Sequence, residues 1–356
     1  MNSGQFLAEL RAEANAGNSG PPSADVTTIT GLPVGNKWAS SILSFNKKLY
    51  SIPVDSGVVL ITDPATNATD ITSITGLGVA TDKWFGGVLA MNGKIYGIPF
   101  SDTRVLVIDP TTNTADVSSM TGLPATAFKW QGGVLAPNGK IYAIPSQSTS
   151  VLIIDPNTNT YDNTTIAGLT VSFSWRGGVL APNGKIYGIP SDSSSVLIID
   201  PVTNTADVTT IAGISGGTGK WSGGVLAPNG KIYAIPFDDT RVLIIDPVTN
   251  TVDVTSITGL SGTGKWSGGV LAPDGKIYAM PYGDTRVLII DPKTNAIDLT
   301  SLSSLAGATK WTGGVFHPNG NIYGSPHTDQ RGLIIRPAAR GRFCGGIPFS
   351  GYVNKF

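Results

Sequence analysis

Lys220 to Leu260 reads KWSGGVLAPNGKIYAIPFDDTRVLIIDPVTNTVDVTSITGL, and at Lys265 the chain begins again with KWSGG. Every copy of this unit carries one tryptophan, at Trp38, Trp84, Trp130, Trp175, Trp221, Trp266 and Trp311, with steps of 46, 46, 45, 46, 45 and 45 residues. These are the only tryptophans in the 356-residue protein. No unit shows the 3.6-residue apolar rhythm that a helical repeat needs.

One unit reads as four short strands. WSGGVLA from Trp221 is apolar and glycine-rich, and Asn229-Gly230 then supplies a dipeptide suited to the positive φ angles of a tight hairpin. The second strand, KIYAIP, stops at Pro236, which has no N–H to give to a ladder. The unbroken run Val242-Leu243-Ile244-Ile245 of the third strand suits a strand covered on both faces. Asp246-Pro247-Val248-Thr249-Asn250 is a turn in which the Asp side chain can accept backbone amides ahead of it. The fourth strand, TVDVTSI, is the most polar, as an outermost edge should be. A period of 45 or 46 residues built from four strands, here called A to D, predicts an all-β, seven-bladed β-propeller of four-stranded antiparallel blades.

The ends of the repeat predict how the ring closes. Residues 24–32, ADVTTITGL, match a D strand but precede the first Trp, whereas the seventh unit stops matching after Arg336. The N-terminal strand over 24–32 is therefore expected to complete the last blade. That assigns residues 1–23 to an N-terminal arm, 24–336 to the propeller and 337–356 to a C-terminal tail. FLAELRAEA, from Phe6 to Ala14, has the pattern of about two turns of amphipathic helix, marginal without a docking surface. The tail GRFCGGIPFSGYVNKF has no acidic residue.

Composition narrows the function. Charged residues make up 13% and the formal net charge is zero, which gives no electrostatic reason to expect a nucleic-acid or membrane-surface partner. No apolar run approaches the 18 residues of a spanning helix, and the start lacks the apolar core of a secretory signal. Cys344 stands alone, so no internal disulfide framework is expected. The compartment stays open.

IYxIPxxxxxVLIIDPxTNTxD is similar to the YVTN-type propeller unit, with its V-x-V-I-D-x-x-T-N-T run, and the G-V-A-x-x-x-x-G-x-I-Y start resembles the NHL unit. The likeness covers all seven copies, with Ile-Pro standing where YVTN repeats have Thr-Asn. Repeats of this look also resemble those in uncharacterised proteins of phages and aquatic microbes. The resemblance implies the fold; propellers host enzymes, receptors, scaffolds and virion proteins alike.

Catalytic propellers gather carboxylates, histidines or a cofactor at the channel mouth. Here Glu9 and Glu13 are the only glutamates, both ahead of the ring, and most aspartates repeat at turn positions: Asp246 and its equivalents before Pro, and Asp253 and its equivalents opening strand D. No catalytic residue, metal site or cofactor is expected. His317 and His327 fall at opposite ends of one strand, roughly 20 Å apart, too far to share an ion; both are expected at the surface. The tryptophans are expected to pack between blades.

A lysine precedes six of the seven tryptophans: Lys37, Lys83, Lys129, Lys220, Lys265 and Lys310, with Ser174 in the fourth unit. In a ring these would surround one channel mouth, either as solvated side chains or as a cationic collar for an anion. Arg104, Arg241, Arg286 and Arg331 each follow an aspartate by two residues; they are expected as local, exposed ion pairs of small worth, and with the six lysines they are the candidate binding residues of this face. The A–B and C–D turns share one face and are nearly uniform, whereas the B–C and D–A loops share the other and vary. Variable loops on a rigid scaffold are where recognition usually lives.

The expectation is a non-enzymatic structural or binding propeller that docks through residues 1–23 and 337–356 onto other chains of an assembly, such as a virion in which it is a capsid decoration or tail-associated protein. The alternative is a lectin-like or protein-binding module that takes a glycan or an anionic ligand on the variable-loop face. An enzyme of the lactonase or glycosidase sort is disfavoured by the missing Glu and His.

Overall fold

The structure, a computed structural model, describes residues 20–169 and 172–338. The expectations for the N-terminal helix and for the tail beyond residue 338 lie outside the described residues. Within them, 28 strands form seven four-stranded antiparallel sheets, and every strand A lies beside the strand A of the next blade, with the seventh beside the first.

Blade 5 shows why the unit folds as it does. Its strands are Trp221–Leu226, Ile232–Pro236, Leu243–Asp246 and Thr251–Asp253. Strand A pairs Trp221 with Pro236 but Gly224 with Ala234, so it carries one extra residue as a β-bulge. Gly223 takes the bulge with φ +76. Gly224 serves a different need, since a Cβ there would lie 2.7 Å from Cδ1 of Ile189 in the preceding blade. The Gly-Gly pair is thus one residue for the bend and one for close approach of blades. Blade 1 has Ser40 in the bulge position at φ 69.

The turns follow their chemistry with one refinement. In the A–B turn Gly230 N donates to Ala227 O and Ala227 N to Lys231 O, and only Gly230, at φ +80, is left-handed. This is a three-residue loop with glycine in the last place rather than a two-residue Asn-Gly turn. In the C–D turn Asp246 accepts from Val248 N at 3.0 Å, and Asn250 adopts φ +53.

Strand D is shorter than its sequence suggests. Asp253 ends it rather than opening it, because its carboxylate accepts Thr255 N at 2.7 Å and Ser256 N at 3.0 Å and so folds the chain into a turn. The same device ends β1 (Ser23–Asp25), which pairs antiparallel with β28 (Leu333–Arg336) through Ser23↔Arg336, Ala24↔Ile335 and Asp25↔Ile334. Closure by an N-terminal strand holds, but that strand covers residues 23–25 and not 24–32. After Asp25 the chain continues as a loop that returns to the ring, where Ile29 and Leu32 are buried and Gly332 N donates to Ile29 O at 2.9 Å.

The apolar cores lie between blades. Each gathers strands B and C of one blade, its following D–A loop, and the tryptophan and strands of the next. All seven tryptophans are at most 1% exposed, as expected for interblade packing. Each indole N–H donates to a carbonyl in the B–C loop of its own blade, as Trp221 does to Arg241 O at 2.8 Å. On the opposite face tyrosines bolt neighbours together: the Tyr187 hydroxyl donates to Asn250 Oδ1 at 3.0 Å, across to the C–D turn of blade 5. In blade 6 Asp274 replaces the turn asparagine and takes the Tyr278 hydroxyl at 2.7 Å.

Candidate binding site at the channel mouth

The lysines that precede the tryptophans do not form an open cationic collar. All six are at most 3% exposed, and their ammonium groups are consumed by backbone carbonyls. Lys310 Nζ donates to Tyr282 O, Asp284 O and Gly307 O at 3.3, 2.9 and 2.7 Å, and Lys265 Nζ to Phe237 O and Gly262 O at 2.9 and 2.8 Å. Each also sits 5.8 or 5.9 Å from the ring centre of its neighbouring tryptophan. Burial opposes their charge and pushes Lys37 and Lys129 down to about 8. The ammonium groups of Lys83, Lys265 and Lys310 tie their D–A loops to the B–C loop of the blade before, and with all six buried neither the solvated nor the anion-collar expectation fits.

The four arginines pair with the aspartates two residues before them, as expected, but the pairs are not exposed: the aspartate side chains are at most 9% exposed. In Arg241, Nε and Nη2 clasp the two oxygens of Asp239 at 2.8 and 2.7 Å while its own amide donates to the same carboxylate. Arg104, Arg286 and Arg331 repeat this fork with Asp102, Asp284 and Asp329. These forks stiffen the B–C loops and leave the arginines turned toward their own aspartates.

His317 and His327 stand at opposite ends of strand B, Ile322–Pro326, but both are buried, at 5% and 6% exposure, rather than at the surface. His317 accepts Asn319 N at Nδ1 and donates from Nε2 to Lys47 O at 3.1 Å, so it joins the last blade to the first. His327 lies at the mouth of the channel, edge-on to Tyr282 with ring centres 5.7 Å apart. Burial pushes its pKa down to about 4, so it is neutral at pH 7.

Around the axis, on the face of the B–C and D–A loops, is a cavity of about 160 Å³ to which blades 2 through 7 all contribute. Two sequence positions build it. The residue after each Trp points inward and gives Phe85, Gln131, Arg176, Ser222, Ser267 and Thr312; the residue after the proline of strand B gives Phe100, Phe237, Tyr282 and His327. Phe173, from the loop entering blade 4, completes the lining.

The lining is an interrupted aromatic collar. Phe85, Phe100 and Phe173 form one arc, the last two linked through Phe128, which lies outside the lining, with successive centroids 5.0 to 5.5 Å apart, and Phe237, Tyr282 and His327 form a second arc at 5.5 and 5.7 Å. Arg176 stands between the arcs, with its guanidinium carbon 5.3 Å from the ring centre of Phe237. Among the described residues it is the only charged one in the lining, and burial works against its charge. Asp192 and Asp238 attract it from nearby, but each gives an oxygen to a backbone amide, Gly219 N and Gly264 N, both at 2.6 Å.

This is also where polar atoms lack partners. Among the described residues five buried side-chain polar atoms have none, and three of them, Arg176 Nε, Thr312 Oγ1 and His327 Nδ1, belong to this lining. Ser222 and Ser267 hydroxyls share a bond at 3.2 Å beside them. Buried polar groups are normally satisfied, so a cluster of unsatisfied ones asks for a ligand or water. Reading the sequence by its repeats passes over these residues, although blade 4 carries a signal: it alone lacks the repeated lysine and it alone has arginine after its tryptophan.

No family model and no curated protein matches the chain. Solved structures share its fold at low identity. A catalytically inactive virginiamycin B lyase from Staphylococcus aureus, solved with quinupristin, is 8% identical with a TM-score of 0.72, over 88% of this chain and 99% of that one. A streptogramin B lyase structure is 10% identical with a TM-score of 0.68, over 88% and 97%. Hydrazine synthase from Kuenenia stuttgartiensis is 16% identical with a TM-score of 0.65, over 86% and 97%. At these identities the chain is similar to them in fold: a seven-bladed β-propeller.

Proposed function

We propose that this propeller is a non-enzymatic binding module whose ligand sits in the cavity at the channel mouth, on the variable-loop face. The supporting observation is the break in symmetry there. Near-identical blades present Ala39, Phe85, Gln131, Arg176, Ser222, Ser267 and Thr312 after their tryptophans, so that only blades 5 and 6 agree, while the scaffold positions around them repeat. A rigid ring with a varied, inward-facing layer is what selective recognition needs. Among the described residues the lining offers no carboxylate and one neutral imidazole, a donor set for holding a ligand rather than for moving its protons.

The test is a fragment screen by ligand-observed NMR on the full chain and on Ser222→Phe and Thr312→Phe, two variants that fill the cavity. Fragments that bind the wild type, are lost in both variants and are recovered chemically unchanged support the reading. Fragments that bind all three proteins equally, or that are turned over, contradict it. Docking of the terminal arms into a larger assembly, a virion among them, is a separate proposal on residues outside the described ones; its check is the solution mass of the full chain beside residues 20–338.

A further inference from the structure

We infer that the channel-mouth cavity is a site for a small aromatic carboxylate, with Arg176 holding the carboxylate and the phenylalanine faces holding the ring. This rests on the binding-module reading above and goes further by naming the class of ligand.

Three observations meet on it. The first is size. At about 160 Å³ the cavity is close to the roughly 150 Å³ of an engineered apolar cavity that takes up benzene. A single six-membered ring with one short substituent is therefore the scale of guest that fits.

The second is charge. Among the described residues the lining holds one guanidinium and no carboxylate. Arg176 Nε is buried and unpartnered, and a guanidinium presents a planar fork of donors that matches a carboxylate. A phosphate dianion would bring a second negative charge with no second cation to meet it. Thr312 Oγ1 and His327 Nδ1, both unpartnered, offer a hydroxyl and a neutral imidazole for one further hydrogen bond.

The third is shape. The rings of Phe100, Phe173, Phe237 and Tyr282 line the cavity, and an aromatic guest stacks offset or edge-on against such rings with about 0.5–1.5 kcal/mol beyond its area burial in proteins generally. Arg176 already rests against Phe237, which fixes the guanidinium and reduces the ordering that binding must supply.

The experiment is calorimetric titration of the full chain at pH 7 with benzoate, benzamide and inorganic phosphate, repeated on Arg176→Gln, Arg176→Lys and Ser222→Phe. Melting curves confirm that each variant is folded. The expected result is saturable one-to-one binding of benzoate, at least tenfold weaker binding of benzamide and of phosphate, at least a tenfold loss in Arg176→Gln and a smaller loss in Arg176→Lys. Benzamide binding as tightly as benzoate, or Arg176→Gln binding benzoate like the wild type, overturns the anion assignment. If Ser222→Phe still abolishes that binding, the cavity stands as a binding place and only the ligand class falls. No binding of benzoate at millimolar concentration overturns the assignment as well, and the fragment screen then decides separately whether the cavity binds anything.

Discussion

The guanidinium of Arg176 lies against the ring of Phe237, 5.3 Å from its centre, with Asp192 and Asp238 acting on it only from a distance. A partly buried cation resting on an aromatic face keeps its donors free for a guest, and the contact itself is worth about 0.5–2 kcal/mol. Chemical denaturation of Arg176→Met, Phe237→Leu and the double variant should therefore give a coupling energy of about 1 kcal/mol. Strictly additive effects would mean that the two side chains are neighbours without attraction.

Ring closure depends on a short stretch of chain. The loop after β1 buries Ile29 and Leu32 at the joint between the last and first blades, and Asp25 meets Arg336 at 3.2 Å. Full burial of one such side chain is worth about 1.5–3 kcal/mol. Removing residues 1–32 should destabilise the ring by several kcal/mol more than removing residues 1–19 does, with a correspondingly lower melting temperature. Equal melting of the two truncated proteins would refute closure by this segment.

The two glycines of strand A make opposite predictions at two sites. Gly224→Ala would set a methyl 2.7 Å from Ile189 Cδ1, so a loss of about 1–3 kcal/mol is expected from overpacking. In blade 1 Ser40 holds a left-handed conformation that glycine adopts freely, at φ 69. Ser40→Gly should stabilise by about 0.5–1 kcal/mol, since a non-glycine residue there carries roughly 1–2 kcal/mol of strain partly offset by the greater freedom of unfolded glycine. Urea unfolding of both variants is the check.

Stability should fall in two steps on acidification. Burial holds His327 near 4, against about 6.5 in an unfolded chain. Between those values the unfolded state binds the extra proton, so stability drops as pH falls from 6.5 to 4, and His327→Gln should flatten that part of the curve. The second step belongs to the aspartates that end the D strands. Bonds from Ser73 to Asp70 and from Ser119 to Asp116 hold these carboxyls down at about 2. Their contribution is complete above about pH 4 and disappears as pH falls toward 2. Thermal melting from pH 2 to 7 measures both.

The spacing of seven tryptophans and the turn residues after each strand specify blade number, strand order and closure, because those features arise from local chemistry repeated seven times. The strand D boundaries are harder to read, since Asp253 looks like a strand residue until its carboxylate is seen to take the next turn's amides. Lys265 and its equivalents read as exposed for a general reason: a sequence shows the charge but not the carbonyls that converge on it. The burial of His317 and His327 is hidden in the same way, since each depends on contacts across a blade joint. Arg176 is legible as a break in the repeat, yet attention to the residues that recur passes it by, because the site is made of those that differ.

The most direct test of the aromatic-carboxylate site is a crystal structure of the full chain soaked in benzoate. The predicted result is a benzoate ring between the two aromatic arcs, with its carboxylate within hydrogen-bond distance of the Arg176 guanidinium. A benzoate-free cavity with Arg176 turned away to Asp192 or Asp238 would contradict it.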